Sequence, residues 1–263
     1  MRKKTTTYIA KPVDAHGNAD YNDIENQTWH ELITRQTPIV QGRACDEYLH
    51  GLELLQLPQD KIPQCPDVSR VLTKATGWAL EPVPALIPFD HFFYLLANRK
   101  FPAATFIRRY EEIDYLEEPD IFHEVFGHCP MLTNPACADF THTYGKLGLT
   151  ATPEEQVMLA RLYWFTIEFG LIKTANGLRA YGGGILSSKS ETTYCVESPI
   201  PKRKTFDVMD VLRTPYRINI MQPIYFVIDN FNVLFDLIKM DLIALIHEAE
   251  RLGMYAPVFE EEN

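Results

Sequence analysis

Apolar residues recur at three- and four-residue intervals along much of the chain, and this spacing predicts helices. Over residues 21–57, Trp29, Leu32 and Ile33, then Tyr48, Leu49, Leu52 and Leu55, mark one face. A break is expected at Thr37-Pro38, because a proline drives the residue before it out of the helical region. Residues 90–98 repeat the pattern. The strongest helix signal covers 153–174: Thr152 can cap it, Pro153 suits its first position, Glu155 completes a capping box, and Asn176-Gly177 would end it. A last long helix is predicted over 228–252, with Phe231, Leu234, Phe235, Ile238, Leu242, Leu245 and Ile246 facing the core. Short strands are expected at 105–108, 191–197 and 217–220. Residues 58–90 hold Pro58, Pro63, Pro66, Pro82, Pro84 and Pro88, and from Gly77 onward read as irregular loop and strand. The fold class that follows is mainly α with a few short β-strands, in a single domain over 21–255. Residues 1–20 read as an extended arm, and 256–263 as an acidic tail ending in Glu260-Glu261-Glu262.

Composition narrows the function classes. The 263 residues are 46% hydrophobic and carry a net charge of −10. No basic run exceeds three residues; Lys202-Arg203-Lys204 reads as a solvated loop, so no nucleic-acid partner is expected. Five cysteines without CxxC spacing argue against a disulfide framework or a zinc ribbon. Neither a signal peptide nor an apolar run long enough to cross a membrane is visible, which points to the cytoplasm.

The candidate chemistry lies in Glu118-Pro119-Asp120-Ile121-Phe122-His123-Glu124-Val125-Phe126-Gly127-His128. Histidines five residues apart lie ~140° apart on a regular helix, against ~40° at a spacing of four. They share a face only if the backbone widens into a π-type turn, a device that clusters at functional sites. Glu168 lies in Tyr163-Trp164-Phe165-Thr166-Ile167-Glu168-Phe169-Gly170-Leu171, with Phe165, Leu171 and Ile172 as helical neighbours. A lone carboxylate there is costly to bury unless a cation meets it, either a metal or an ion-pair partner such as Arg161 or Lys173. Two histidines and one carboxylate form the facial ligand set of mononuclear non-haem iron(II) oxygenases. His30, His50, His142 and His247 read as ordinary core histidines. The rival metal motif, H-E-x-x-H of zinc proteases, is one residue shorter than His123–His128. Tyr181-Gly182-Gly183-Gly184-Ile185-Leu186 places three glycines where backbone can approach a ligand closely.

These runs, together with Ala180-Tyr181-Gly182-Gly183-Gly184-Ile185-Leu186-Ser187-Ser188, resemble the pterin-dependent aromatic amino acid hydroxylases, and among them the short bacterial phenylalanine 4-hydroxylases. The likeness covers most of residues 20–250. It implies Fe(II) held by His123, His128 and Glu168, a tetrahydropterin cofactor, O2 as oxidant and phenylalanine as the substrate converted to tyrosine. It implies that Arg108 clamps the substrate carboxylate with Asp120 and Ser187 beside it, and that Trp164 and Phe169 line the side-chain pocket. Only one of Arg108 and Arg109 can point inward from an extended segment. The resemblance further places Leu86, Ile87 and Phe92 at the pterin, Glu124 between pterin and iron, and Tyr163 near the iron. Tryptophan or tyrosine hydroxylation stays open within the family, and a zinc hydrolase or a non-catalytic metal-stabilised protein outside it. The larger members' regulatory domain and tetramerising coiled coil have no counterpart, so a monomer or homodimer is expected.

Overall fold

The computed structural model describes residues 8–84, 86–116 and 118–259. Helix α1 (Asp23–Val40) starts from a capping box between Asn22 and Glu25 and buries Trp29, Leu32 and Ile33. The break expected at Thr37-Pro38 does not occur, and the helix runs on to Val40. The carbonyl that Pro38 leaves without a donor belongs to Thr34, and both residues face solvent, so water can replace the missing N–H. Helices α2 (Asp46–Leu55) and α3 (Cys65–Thr76) follow, then β1 (Ala79–Val83), α4 (Phe89–Ala97) and β2 (Lys100–Ala104).

Strands β1 and β2 pair in parallel, from Ala79 with Lys100 to Val83 with Ala104. The strand expected at 105–108 is therefore displaced to the five residues before it. Residues 105–108 form no strand and bond elsewhere. Thr105 exchanges hydrogen bonds with Lys11 of the N-terminal arm, and the Phe106 carbonyl accepts from the Ile121 N–H at 2.9 Å. These bonds lay Arg108 alongside Asp120.

Helices α5 (Cys129–Leu132), α6 (Pro135–Thr150) and α7 (Pro153–Tyr163) build the centre of the molecule. Two single π-turns flank them: His123–His128 runs into α5, and Trp164–Glu168 extends α7. The capping box at Thr152 forms as expected, but the helix expected over 153–174 ends at Glu168. Residues beyond it form the hairpin β3 (Leu171–Thr174) and β4 (Gly177–Ala180). Ala175-Asn176 forms the hairpin turn and Gly177, at φ +98°, opens β4, so Asn176-Gly177 is no helix stop. Leu171 and Ile172 decide the matter, because they pair with Val227 and Ile228 of a central strand.

That strand, β6 (Ile224–Ile228), lies in a sheet of order β4-β3-β6-β5, where β5 is Lys202–Thr205. Tyr225 and Phe226 are fully buried in it. The basic run 202–204 is thus an edge strand, not a loop, with Arg203 donating to the Cys195 and Ser198 carbonyls. Helix α8 (Gly183–Leu186) precedes α9 (Lys189–Glu197), so 191–197 is helical where a strand was expected. Its β-branched residues are overridden by an N-terminal cap, the Ser188 side chain accepting the Glu191 N–H. No strand forms at 217–220. After α10 (Val208–Arg213) and β6, the expected long helix divides into α11 (Asn232–Leu237) and α12 (Leu242–Leu252), the second capped by Asp241.

The result is one mainly α domain with short strands. Among the described residues no helix is long and apolar enough to cross a membrane. Within the arm, a turn over 14–18 closes a bridge between Val13 and Ala19, and Gln64 bonds Ala19 in both directions. Residues 1–7 and Glu260-Glu261-Glu262 lie outside the described residues.

Candidate metal centre

The two π-turns bring the three expected donors together. In the first, the Cys129 N–H reaches back five residues to the Glu124 carbonyl, so His123 and His128 stack on one face. Pro130 explains why the helix widens here. It has no N–H to give the Phe126 carbonyl, and its ring would crowd that group. The carbonyl is taken instead by the Tyr48 hydroxyl at 2.7 Å. In the second turn the Phe169 N–H bonds the Trp164 carbonyl, again five residues back. The Thr166 hydroxyl takes the Leu162 carbonyl at 2.7 Å, a bond that competes with the regular helical ladder.

His123 Nε2 and His128 Nε2 are 3.0 Å apart. Glu168 Oε1 is 3.2 Å from His128 Nε2, and Oε2 is 3.7 Å from His123 Nε2. Donors at ~2.1 Å from one metal and ~90° apart would be ~3.0 Å from each other, so this set suits three adjacent ligand positions. His128 is almost enclosed at 3% side-chain exposure, while His123 at 20% and Glu168 at 17% border the opening. The set therefore has one accessible side. The ion-pair alternative for Glu168 is not realised through Arg161, which donates to the Leu212 carbonyl.

Hydrogen bonds set the protonation of this cluster. The Ser187 hydroxyl donates to the Gly183 carbonyl at 2.9 Å. It must then accept from His123 Nδ1, also at 2.9 Å, so Nδ1 carries the proton and Nε2 a free lone pair. Burial lowers the His123 imidazole to about 4, against the upward pull of Glu168. Burial also raises the Glu168 carboxyl, but His128, His123 and the Gly184 N–H outweigh it and hold the group below the usual carboxylate range. Both are thus in the form a metal binds.

Arg108 points inward, where it is 7% exposed, while Arg109 is exposed. Asp120 is wholly buried and meets Arg108 in a bidentate pair, Oδ2 with Nε and Oδ1 with Nη2, each at 2.9 Å. The same carboxylate accepts the Arg108 and His123 backbone N–H groups at 2.9 and 3.0 Å. Burial would raise Asp120, yet Arg108 and these donors hold its carboxyl below the ordinary range. Trp164 stacks on Phe169 with ring centroids 4.4 Å apart. Phe92 meets the edge of Tyr163 at 5.6 Å, and the buried Tyr163 hydroxyl has no hydrogen-bond partner among the described residues. Burial, with Glu168 and Asp120 adding to it, raises the Glu124 carboxyl well above its ordinary value. Ile87 is half-buried and Leu86 exposed on the segment between β1 and α4; Ala85 lies outside the described residues.

The family model for biopterin-dependent aromatic amino acid hydroxylases matches residues 2–245. The chain is 58% identical over 258 residues to a phenylalanine-4-hydroxylase of Vibrio cholerae, covering 98% of this chain and 89% of the other. The apo structure of a cold-active phenylalanine hydroxylase from Colwellia psychrerythraea superposes with a TM-score of 0.93 at 55% identity, covering 95% of this chain and 97% of that one. The chain belongs to the biopterin-dependent aromatic amino acid hydroxylases. A Chromobacterium violaceum phenylalanine hydroxylase with bound oxidized Fe(III) is similar at a TM-score of 0.88 and 45% identity, covering 93% of this chain and 91% of that one.

In this hydroxylase the glycine run packs against the candidate ligands. A Cβ on Gly183 would lie 2.4 Å from Cε1 and Nδ1 of His128, and one on Gly184 would lie 2.9 Å from Glu168 Oε2. The α8 backbone therefore packs directly on two of the three donors. Gly183→Ala is expected to push the His128 ring aside and to weaken iron binding ~10- to 100-fold, the usual effect of disturbing a ligand's support. Equilibrium iron titration of the folded variant checks this, and wild-type affinity would show that the ring has room to spare. Of the other histidines, His30 and His142 bond the Gln59 and Leu96 carbonyls. His50 and His247, expected in the core, are 67% and 59% exposed and face Glu53 and Glu155. All five cysteines are buried and free.

Three further residues contribute to the site in this hydroxylase. Pro130, two residues past His128, was the one legible signal for the first π-turn. Tyr48 and Gln222 left none, since each acts from far along the chain. Tyr48 holds the Phe126 carbonyl, and Gln222 accepts the Trp164 indole N–H at 3.1 Å.

Proposed function

We propose that the protein is a phenylalanine 4-monooxygenase, converting L-phenylalanine to L-tyrosine with O2 and a reduced pterin at a mononuclear Fe(II) site. The observation that carries this reading is the His123–His128–Glu168 set on two π-turns, open on one side, in a chain so similar along its length to phenylalanine hydroxylases. Iron and a tetrahydropterin, when bound, supply the activation of O2. The chain's own residues hold and orient. His123, His128 and Glu168 offer the iron three donors on one face and leave the other side to solvent, O2 and substrate. Ser187 keeps the His123 proton on Nδ1, away from the metal.

Arg108, with Nε and Nη2 occupied by Asp120, has Nη1 left for the substrate carboxylate. Phe169 and Trp164 form the wall against which the phenyl ring lies. Phe92 offers its face to the flat pterin, with Leu86 and Ile87 on the adjoining segment. Glu124 offers its buried carboxyl toward the pterin side, and the Tyr163 hydroxyl is placed to bond a group in the same space. We assign the catalytic unit to residues 21–255, with the arm before it and the tail after it. The reading also implies small-molecule substrates in the cytoplasm, no nucleic-acid or membrane partner, and a monomer or homodimer.

An aerobic assay with Fe(II), a tetrahydropterin and each aromatic amino acid, read by mass spectrometry, tests this reading. Tyrosine from phenylalanine, lost on omission of iron, pterin or O2, is expected. Hydroxylated tryptophan or tyrosine in its place would move the substrate within the family. No hydroxylation by iron-loaded protein would overturn the oxygenase reading and favour a hydrolytic or structural metal site.

A further inference from the structure

Trp164 sits in the second π-turn, four residues before Glu168, and is half-buried. Its ring stacks on Phe169 at 4.4 Å and on Tyr216 at 4.7 Å. Stacking alone leaves a ring free to slide and rotate in its plane. One polar contact removes that freedom, the indole N–H donating to Gln222 Oε1 at 3.1 Å.

Gln222 is itself fixed on every side. It is 1% exposed. Its Nε2 donates to the Arg217 and Ile220 carbonyls at 2.9 and 3.0 Å. Both amide hydrogens are thereby committed, so Oε1 must be the atom that faces the indole, and the flipped amide would set N–H against N–H. Its backbone N–H donates to Glu191 Oε1 at 3.2 Å, an oxygen that also accepts the Tyr225 hydroxyl. Tyr225 lies in β6, and Glu191 in α9. The loop that carries Tyr216 is folded around the same glutamine, since two of that loop's carbonyls are Gln222's acceptors. One buried amide thus anchors both the Trp164 edge and the loop whose tyrosine stacks on the Trp164 face.

We infer that Gln222 is a specificity-determining positioning residue, which locks the Trp164 wall of the amino acid pocket at one depth and angle and so selects the size of the aromatic ring admitted. This rests on the reading of Trp164 as a pocket wall. Gln222 touches neither the metal donors nor Arg108, so its loss acts through Trp164 and leaves iron binding intact.

The test compares Gln222→Met, Trp164→Phe and the double variant in iron-loaded protein, with thermal unfolding and iron content measured on each. Calorimetric binding of phenylalanine and the ratio of phenylalanine to tryptophan hydroxylation are the readouts. Gln222→Met is expected to weaken phenylalanine binding ~5- to 20-fold, as follows from stranding a buried donor, and to relax the preference among amino acids. With only three tryptophans in the chain, the lost indole bond should also shift the fluorescence emission. In the Trp164→Phe background, where no indole N–H remains, Gln222→Met should change preference less than it does alone, the remainder coming from the Tyr216 loop. Gln222→Asn, one methylene shorter, withdraws the acceptor while keeping the amide, and stands in if Gln222→Met does not fold. A folded Gln222 variant with wild-type preference, beside a Trp164→Phe variant whose preference moves, would overturn the inference and leave the pocket reading standing. If neither substitution moves binding or preference, the pocket reading fails and the inference falls with it.

Discussion

Glu168→Ala is expected to abolish stoichiometric iron binding and to reduce phenylalanine hydroxylation by at least ~100-fold, since losing a ligand costs more than losing a ligand's support. The carboxylate is the only anionic member of the donor set, and its two oxygens lie 3.2 and 3.7 Å from the imidazole nitrogens. Without it, two imidazoles 3.0 Å apart hold a divalent ion by neutral donors alone. The alanine also removes the acceptor of the Gly184 N–H, so α8 loses one tie to the second π-turn. Metal analysis after iron loading and dialysis, beside the hydroxylation assay, decides the matter. A folded variant that keeps one iron per chain and turns over at the wild-type rate would remove Glu168 from the ligand set. Loss of activity with iron retained would make it a catalytic support instead of a ligand.

Asp120→Ala is expected to lower the unfolding free energy by ~3–5 kcal/mol, the range found when one partner of a buried ion pair is deleted. Asp120 is fully buried and satisfies four donors, two from the Arg108 side chain and one each from the Arg108 and His123 backbones. Removing it strands a guanidinium that is 7% exposed. It also unties the loop before His123, so the amino acid KM should rise together with the loss of stability. The pH dependence has a definite sign. The Asp120 carboxyl is held below its ordinary value of 3.8, so its contribution is present above that value and is lost as pH falls through the lowered one. The stability gap between wild type and Asp120→Ala should therefore be constant across pH 5–8 and narrow only in acid. Denaturant titrations across that range check both the size and the sign. A loss below ~1 kcal/mol would place the pair in the class of solvent-screened surface bridges.

The parts of this molecule that were legible along the chain are those whose cause is local. The five-residue separation of His123 and His128 is incompatible with one face of a regular helix, so shared ligation demanded a π-turn, and one forms. The Thr152 cap and the apolar faces of α1 and α2 follow from neighbouring residues in the same way.

What the chain alone left open turns on partners distant in sequence. Leu171 and Ile172 continue a helical pattern until β6 offers them a parallel strand, and residues 224–228 carry an apolar run that suits either a buried helix or a central strand. Asn176-Gly177 can end a helix, or close a hairpin turn and open its second strand, by the same chemistry. The resemblance places Ser187 near the substrate carboxylate; that its hydroxyl also meets His123 Nδ1 is visible only in the fold. The Gly183 and Gly184 backbone meets His128 and Glu168 only because α8 packs across both π-turns. The sequence by itself thus determined the fold class, the ligand types and the widened turn between the histidines, because each depends on residues within about one helical turn. Tertiary structure decided where the second π-turn stops, which hydroxyl sets the histidine tautomer and which amide holds Trp164. Those outcomes depend on groups that folding brings within hydrogen-bonding distance from far along the chain.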